Sequence, residues 1–134
     1  MAQSCGTLLV ADLHIKAAVG SNVRIVNLLE SCFPSIDKTC RHVDHLIRES
    51  RKTGVRVMKL IHGYDSTGAG KRLRLGLRAH LWQREKDGEI RAFIPGERWA
   101  QFDQQSRELL KQVPESIVDS DFCRTNKGVT LIVL

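Results

Sequence analysis

The sequence predicts an α/β fold: one domain built on a strand–helix–strand unit, with four strands and two main helices. Three observations carry this prediction. Two aliphatic runs rich in β-branched residues, 23–29 (VRIVNLL) and 55–61 (VRVMKLI), flank a segment whose apolar residues recur at helical spacing. A second helix-patterned segment follows the later run. An apolar stretch, 129–134 (VTLIVL), closes the chain.

Pro34 stops the chain after the first run and leaves Ser35 as an N-cap. Ile36, Cys40, Val43 and Ile47 then form one helical stripe, widened by Leu46, and Gly54 ends the helix in the C′ position. The run 55–61 is polar only at Arg56 and Lys59, as suits a central strand covered on both faces. Strand, helix and strand in so short a span imply a right-handed crossover and parallel pairing.

The second helix is expected over about 71–86, with Leu73, Leu77 and Leu81 buried, Arg74 and Arg78 on one flank, and Lys86-Asp87-Gly88 closing it. A third strand, 90–94 (IRAFI), ends at Pro95-Gly96. A loop and short helix with Leu109, Leu110 and Val113 occupy 99–114, and Lys127-Gly128 turns into the closing strand. The domain spans 23–134. Residues 1–22, with LLVADLHI at 8–15, are either an N-terminal extension or an extra edge strand.

A chain of 134 residues can bury a core without disulfides or a metal. Its net charge of +6 and pI near 9.5 favour acidic partners. That charge is polarised: Gly70 to Arg84 carries five Lys/Arg and no acid, whereas Asp103 to Asp121 holds several acids. Cys5, Cys32, Cys40 and Cys123 are scattered without a CxxC pair, the pattern of a reduced intracellular chain. No run approaches the roughly 18 apolar residues of a membrane span. The N-terminus lacks the basic region of a secretory signal, so a cytoplasmic location is expected.

The stretch 58–74 (MKLIHGYDSTGAGKRLR) concentrates the chemistry. An apolar run ends in His62-Gly63, a loop follows, and a basic helix begins at Lys71. Backbone amides, a helix N-terminus and cations around one point make an anion site, and phosphate is the obvious anion. Gly63, Gly68 and Gly70 permit close backbone approach, or simply make a strand-to-helix turn. Lys71, Arg72, Arg74 and Arg78 bind phosphates or form a solvated basic face. The loop is not a nucleotide-triphosphate cradle, because Ala69 stands where Lys is required and no Ser or Thr follows Lys71. His62 contacts phosphate, acts as a general acid or base, or satisfies a loop carbonyl. Trp82 and Trp99 stack on unpaired bases or serve the core. His42 and His45 lack a third ligand at metal-binding spacing, so no metal site is expected there.

The segments 59–74 (KLIHGYDSTGAGKRLR), 89–97 (EIRAFIPGE) and 126–134 (NKGVTLIVL) together resemble the Smr domain. This small module occurs at the C-terminus of MutS2 proteins and as a short stand-alone bacterial protein. The resemblance covers about 23–134. It implies a two-layer sandwich with a four-stranded mixed sheet, resembling the C-terminal domain of translation initiation factor three. It also implies binding of DNA or RNA and, in some members, strand cleavage tied to a first-strand Leu-Asp-x-His motif and a later His-Gly-x-Gly.

Asp12-Leu13-His14 spells the first motif, but placing it on the first strand would leave an insertion of some fifteen residues that itself contains a strand. The first motif therefore aligns with Val26-Asn27-Leu28-Leu29, where Asn27 replaces the acid and Leu29 the histidine; Asp65 stands at a usual glycine. The expectation is nucleic-acid binding through His62, Gly63, Gly68, Gly70, Lys71, Arg72, Arg74 and Arg78, with weak or absent nuclease activity and no cofactor. The alternative is an endonuclease using His62 with Asp65, Asp12 or Glu97, in which Asp65 and Glu97 hold Mg²⁺.

Overall fold

The computed structural model describes residues 22–30, 35–64 and 68–134. Asp12, His14, Asp65, Cys5, Cys32 and the 8–15 segment lie outside them. In chain order the elements are β1 (Val23–Asn27), α1 (Ile36–Lys52), β2 (Val57–Ile61), α2 (Gly68–Lys86), β3 (Ala92–Pro95), α3 (Gln104–Gln112) and β4 (Val129–Val133). The sheet order is β1-β2-β4-β3, with β1 parallel to β2 and the other two pairings antiparallel. This is the expected four-stranded mixed sheet with two main helices.

Ser35 caps α1 by accepting the Lys38 amide at 3.2 Å, and Gly54 follows the helix with φ +83°. Cys40, Val43, Leu46 and Ile47 are all buried. The thiol of Cys40 is pushed up to about 11, by burial first and by Asp44 and Asp37 second, so it behaves as a small core residue.

Alternation along β2 and β4 sends side chains to two faces. Met58, Leu60 and Ile132 meet α1 and α2 through Val43, Ile47, Leu77 and Leu81. Val57, Leu131 and Val133 meet Ile94, Trp99, Leu109 and Val113, so the short α3 layer partly covers the second face. Trp99, only 1% exposed, is thus a core residue, and its indole nitrogen donates to Asp119 at 3.1 Å. Lys59, the odd polar residue of β2, is buried on that face and donates to Asp119 at 2.8 Å while pairing with Asp121. Burial opposes its charge, but the two carboxylates outweigh burial and raise its pKa.

The boundary of α2 differs from expectation. The helix begins at Gly68, one turn before Lys71, so Gly68 and Gly70 belong to its first turn and not to a loop. Neither has a positive φ. The turn is made instead at Gly63, where φ is +80° and a Cβ would lie 2.9 Å from a Leu29 methyl. A first-turn helical position tolerates glycine but does not require it, which is why sequence spacing alone misplaced the loop.

Candidate nucleic-acid interface

The C-terminal end of β2, the start of β4, the first half of α2 and the turn after β3 converge at one corner of the sheet. β2 and β4 are antiparallel, so Ile61 pairs with Val129 and the residues just beyond them meet. The amides of His62 and Gly63 both donate to Gly128 O, at 3.0 and 2.9 Å. The Gly63 amide, expected to face an anion, is therefore already used.

His62 is 3% exposed, and both ring nitrogens have partners: Nδ1 lies 3.0 Å from Gly63 O and Nε2 lies 2.9 Å from Thr130 Oγ1. A carbonyl oxygen only accepts, so Nδ1 carries the proton and Nε2 accepts from the Thr130 hydroxyl. Arg78 Nε in turn donates to Thr130 Oγ1 at 3.3 Å. Every donor in this chain has an acceptor when the imidazole is neutral. Burial pushes its pKa down to about 4, reinforced by the Arg78 and Arg74 charges and partly opposed by the Gly63 carbonyl. Of the roles open to His62 in the sequence, the geometry matches the satisfied loop histidine.

Arg78 was expected on an exposed flank with its charge free. Its side chain is instead only 14% exposed. The guanidinium holds Glu97 with two 2.8 Å bonds and reaches the carbonyls of Val129 and Lys127 at 3.3 and 3.4 Å. Burial works against the Glu97 charge, but the Arg78 fork more than compensates and holds the carboxyl below its ordinary range. The pair ties α2 to β4 and to the turn at 96–98. The flank of a helix is legible in sequence, whereas the acid that crosses from another loop is not.

The remaining cations behave differently. Arg74 lies over the Tyr64 ring, 4.6 Å from its centroid, and Lys127 Nζ lies 5.4 Å from the same ring. Arg74 Nη1 is buried, yet among the described residues it has no hydrogen-bond partner. Lys71 and Arg72 are exposed and form no ion pair among the described residues. The first-turn amides of α2, at Gly68 and Gly70, have no intrahelical acceptor. Tyr64, Lys127 and Thr130 were not singled out in the sequence. Tyr64 is the chain's single tyrosine and adjoins His62-Gly63, which was a usable signal; Lys127 and Thr130 arrive only through β4 pairing.

Asn27 ends β1, and Leu29, in the 3-10 turn that follows, packs on Gly63. The two positions aligned with the first-strand motif thus flank this corner without an acid or an imidazole. Among the described residues, no three His, Cys, Asp or Glu side chains are grouped to hold a metal ion, and no helix is long and apolar enough to cross a membrane.

No family model matches the chain, and no curated protein sequence matches it. Among solved structures, the crystal structure of the Smr domain of Thermus thermophilus MutS2 is similar. It shares 17% identity over 84% of this chain and 95% of that one, with a TM-score of 0.46. It is the domain that the sequence motifs resemble, and at that identity nothing about function is carried across from it.

Proposed function

We propose that this protein binds the sugar–phosphate backbone of nucleic acid at the corner formed by Tyr64, the first half of α2 and Lys127. The observation that carries the reading is the buried, unpartnered Nη1 of Arg74. An unsatisfied buried donor on a charged group is costly, and a rotation of the Arg74 side chain towards solvent would let an anionic oxygen satisfy it. Lys71, Arg72 and Lys127 supply further charge, and the Gly68 and Gly70 amides point to the same use. Glu97 does not repel the ligand, because Arg78 neutralises it.

His62, Gly63 and Arg78 then serve by positioning: they hold the β2 end, the β4 start and α2 in register without contacting phosphate. Cleavage is proposed to be weak or absent. Asn27 and Leu29 cannot supply an acid or a base, and the Nε2 lone pair of His62 is taken by Thr130. A reduced, cytoplasmic setting and a DNA or RNA partner belong to the same reading.

The test is fluorescence anisotropy with single-stranded and duplex DNA and RNA at two ionic strengths. Affinity should fall steeply with salt, and Arg74→Ala should weaken binding about tenfold while flattening the log–log salt slope by nearly one. Arg78→Ala should instead lower the melting temperature by leaving Glu97 unpaired. No binding at low salt, or an Arg74→Ala affinity equal to wild type, rejects the proposal. Strand cleavage by purified protein that is lost in a His62→Gln variant still folded at the assay temperature would establish the endonuclease instead.

A further inference from the structure

The outer flank of α2 holds an aromatic side chain that the corner does not use. Trp82 is 54% exposed, and Lys86 Nζ lies over its ring at 4.3 Å from the centroid. Leu75 is exposed as well. Lys71, Leu75, Arg78, Trp82 and Lys86 succeed one another at helical spacings of four, three, four and four residues, so they form one stripe down the helix. From Lys71 to Trp82 the stripe runs about 16 Å at 1.5 Å per residue. Between Gly70 and Arg84 the helix carries no acid; the first, Glu85, comes after Trp82.

We propose that the nucleic acid bound here is single-stranded, and that it runs from the Arg74–Tyr64 corner along this stripe with a base stacked on Trp82. The inference rests on the nucleic-acid reading above and adds the substrate class. Duplex bases are stacked on one another and offer only their edges, whereas an unpaired base offers a ring face. Lys71 and Lys86 are exposed at the two ends of this flank with Trp82 between them, while Arg78 is held by Glu97. Exposed cations beside an aromatic ring match a backbone that tracks charge while its bases seek stacking partners. The core has no use for Trp82, since α2 buries Leu77 and Leu81 and Trp99 fills the opposite face. Tyr64, half exposed, holds the Arg74 and Lys127 cations at its ring where the strand would enter, and so orders charge there while Trp82 offers the stacking face.

The chain has two tryptophans and Trp99 is buried, so ligand-induced changes in indole emission report on Trp82. An oligo(dT) 20-mer and a 20-base-pair duplex serve as probes at low salt. Emission should be quenched by oligo(dT) and not by the duplex. Trp82→Ala should weaken oligo(dT) binding about tenfold and leave duplex affinity unchanged, with Trp82→Phe restoring most of the loss. Equal oligo(dT) affinity in Trp82→Ala and wild type overturns the inference while leaving backbone binding intact. So does an equal loss for both probes, or an effect confined to oligomeric state, which would assign the stripe to self-association. Failure of wild type to bind either probe overturns the nucleic-acid reading and this inference with it.

Discussion

Replacing Gly96 by alanine is expected to destabilise the fold by about 4 kcal/mol or more, a large share of the roughly 5–15 kcal/mol that holds a typical domain folded. A Cβ at this position would overlap Asn126 O and lie 2.5 Å from a Val129 methyl and 2.7 Å from Val129 O. Two of these neighbours are backbone atoms of the segment that leads into β4, and a side-chain rotation cannot clear them. Relief would require β3 and β4 to separate at the Pro95–Thr130 pairing, next to the Arg78–Glu97 contact. Gly88→Ala is the matched control. Its φ is +79°, but nothing lies within 4 Å of the added methyl, so backbone strain alone should cost about 1–2 kcal/mol. Urea unfolding of both variants decides the matter. A Gly96→Ala midpoint no lower than that of Gly88→Ala would mean that the turn after β3 has room the structure does not show.

Acid should weaken the fold through His62 before the carboxylates matter. The folded pKa of about 4 lies below the ordinary 6.5, so between these values the unfolded chain binds a proton that the folded one does not. Stability is then full above pH 6.5 and falls as the pH drops towards 4, by on the order of 3 kcal/mol over the whole window. Glu97 and Asp121 are held below their ordinary values and so lose their contributions at lower pH. The structural cause is direct: a protonated Nε2 would present a second donor to Thr130 Oγ1, which already accepts from Arg78. His62→Gln should be less stable than wild type at pH 7 and should show a flatter pH dependence. Denaturation midpoints taken from pH 7 to 4 compare the two. Parallel curves would show that His62 titrates normally and that its ring is not confined.

At the proposed binding corner the basic residues fall into two groups. Arg78, His62 and Thr130 are consumed in holding β2, β4 and α2 together, so the charge that remains for a ligand is that of Arg74, Lys71, Arg72 and Lys127. A scan of all the basic residues would mix the two groups. Loss of binding from Arg78 substitution should follow loss of structure, whereas loss from Arg74 substitution should not.

Local pattern was enough to specify the α/β class, the βαβ unit, the Ser35 cap, the Gly54 stop and the core stripe of α1. These depend on periodicity and on residues a few positions apart, where backbone geometry leaves few choices. It also located the corner, because an apolar strand followed by His62-Gly63 and a basic helix is a local pattern. Which of the candidate groups are engaged follows only from long-range packing. Glu97 reaches Arg78 from nineteen residues away and Thr130 reaches His62 from sixty-eight, through strand pairing that no local pattern encodes. The same long-range packing divided the tryptophans, burying Trp99 under α3 and leaving Trp82 in solvent. Hydrogen-bond partners and burial are properties of the assembled sheet, and they separate a cation that holds the fold from one that can hold a ligand.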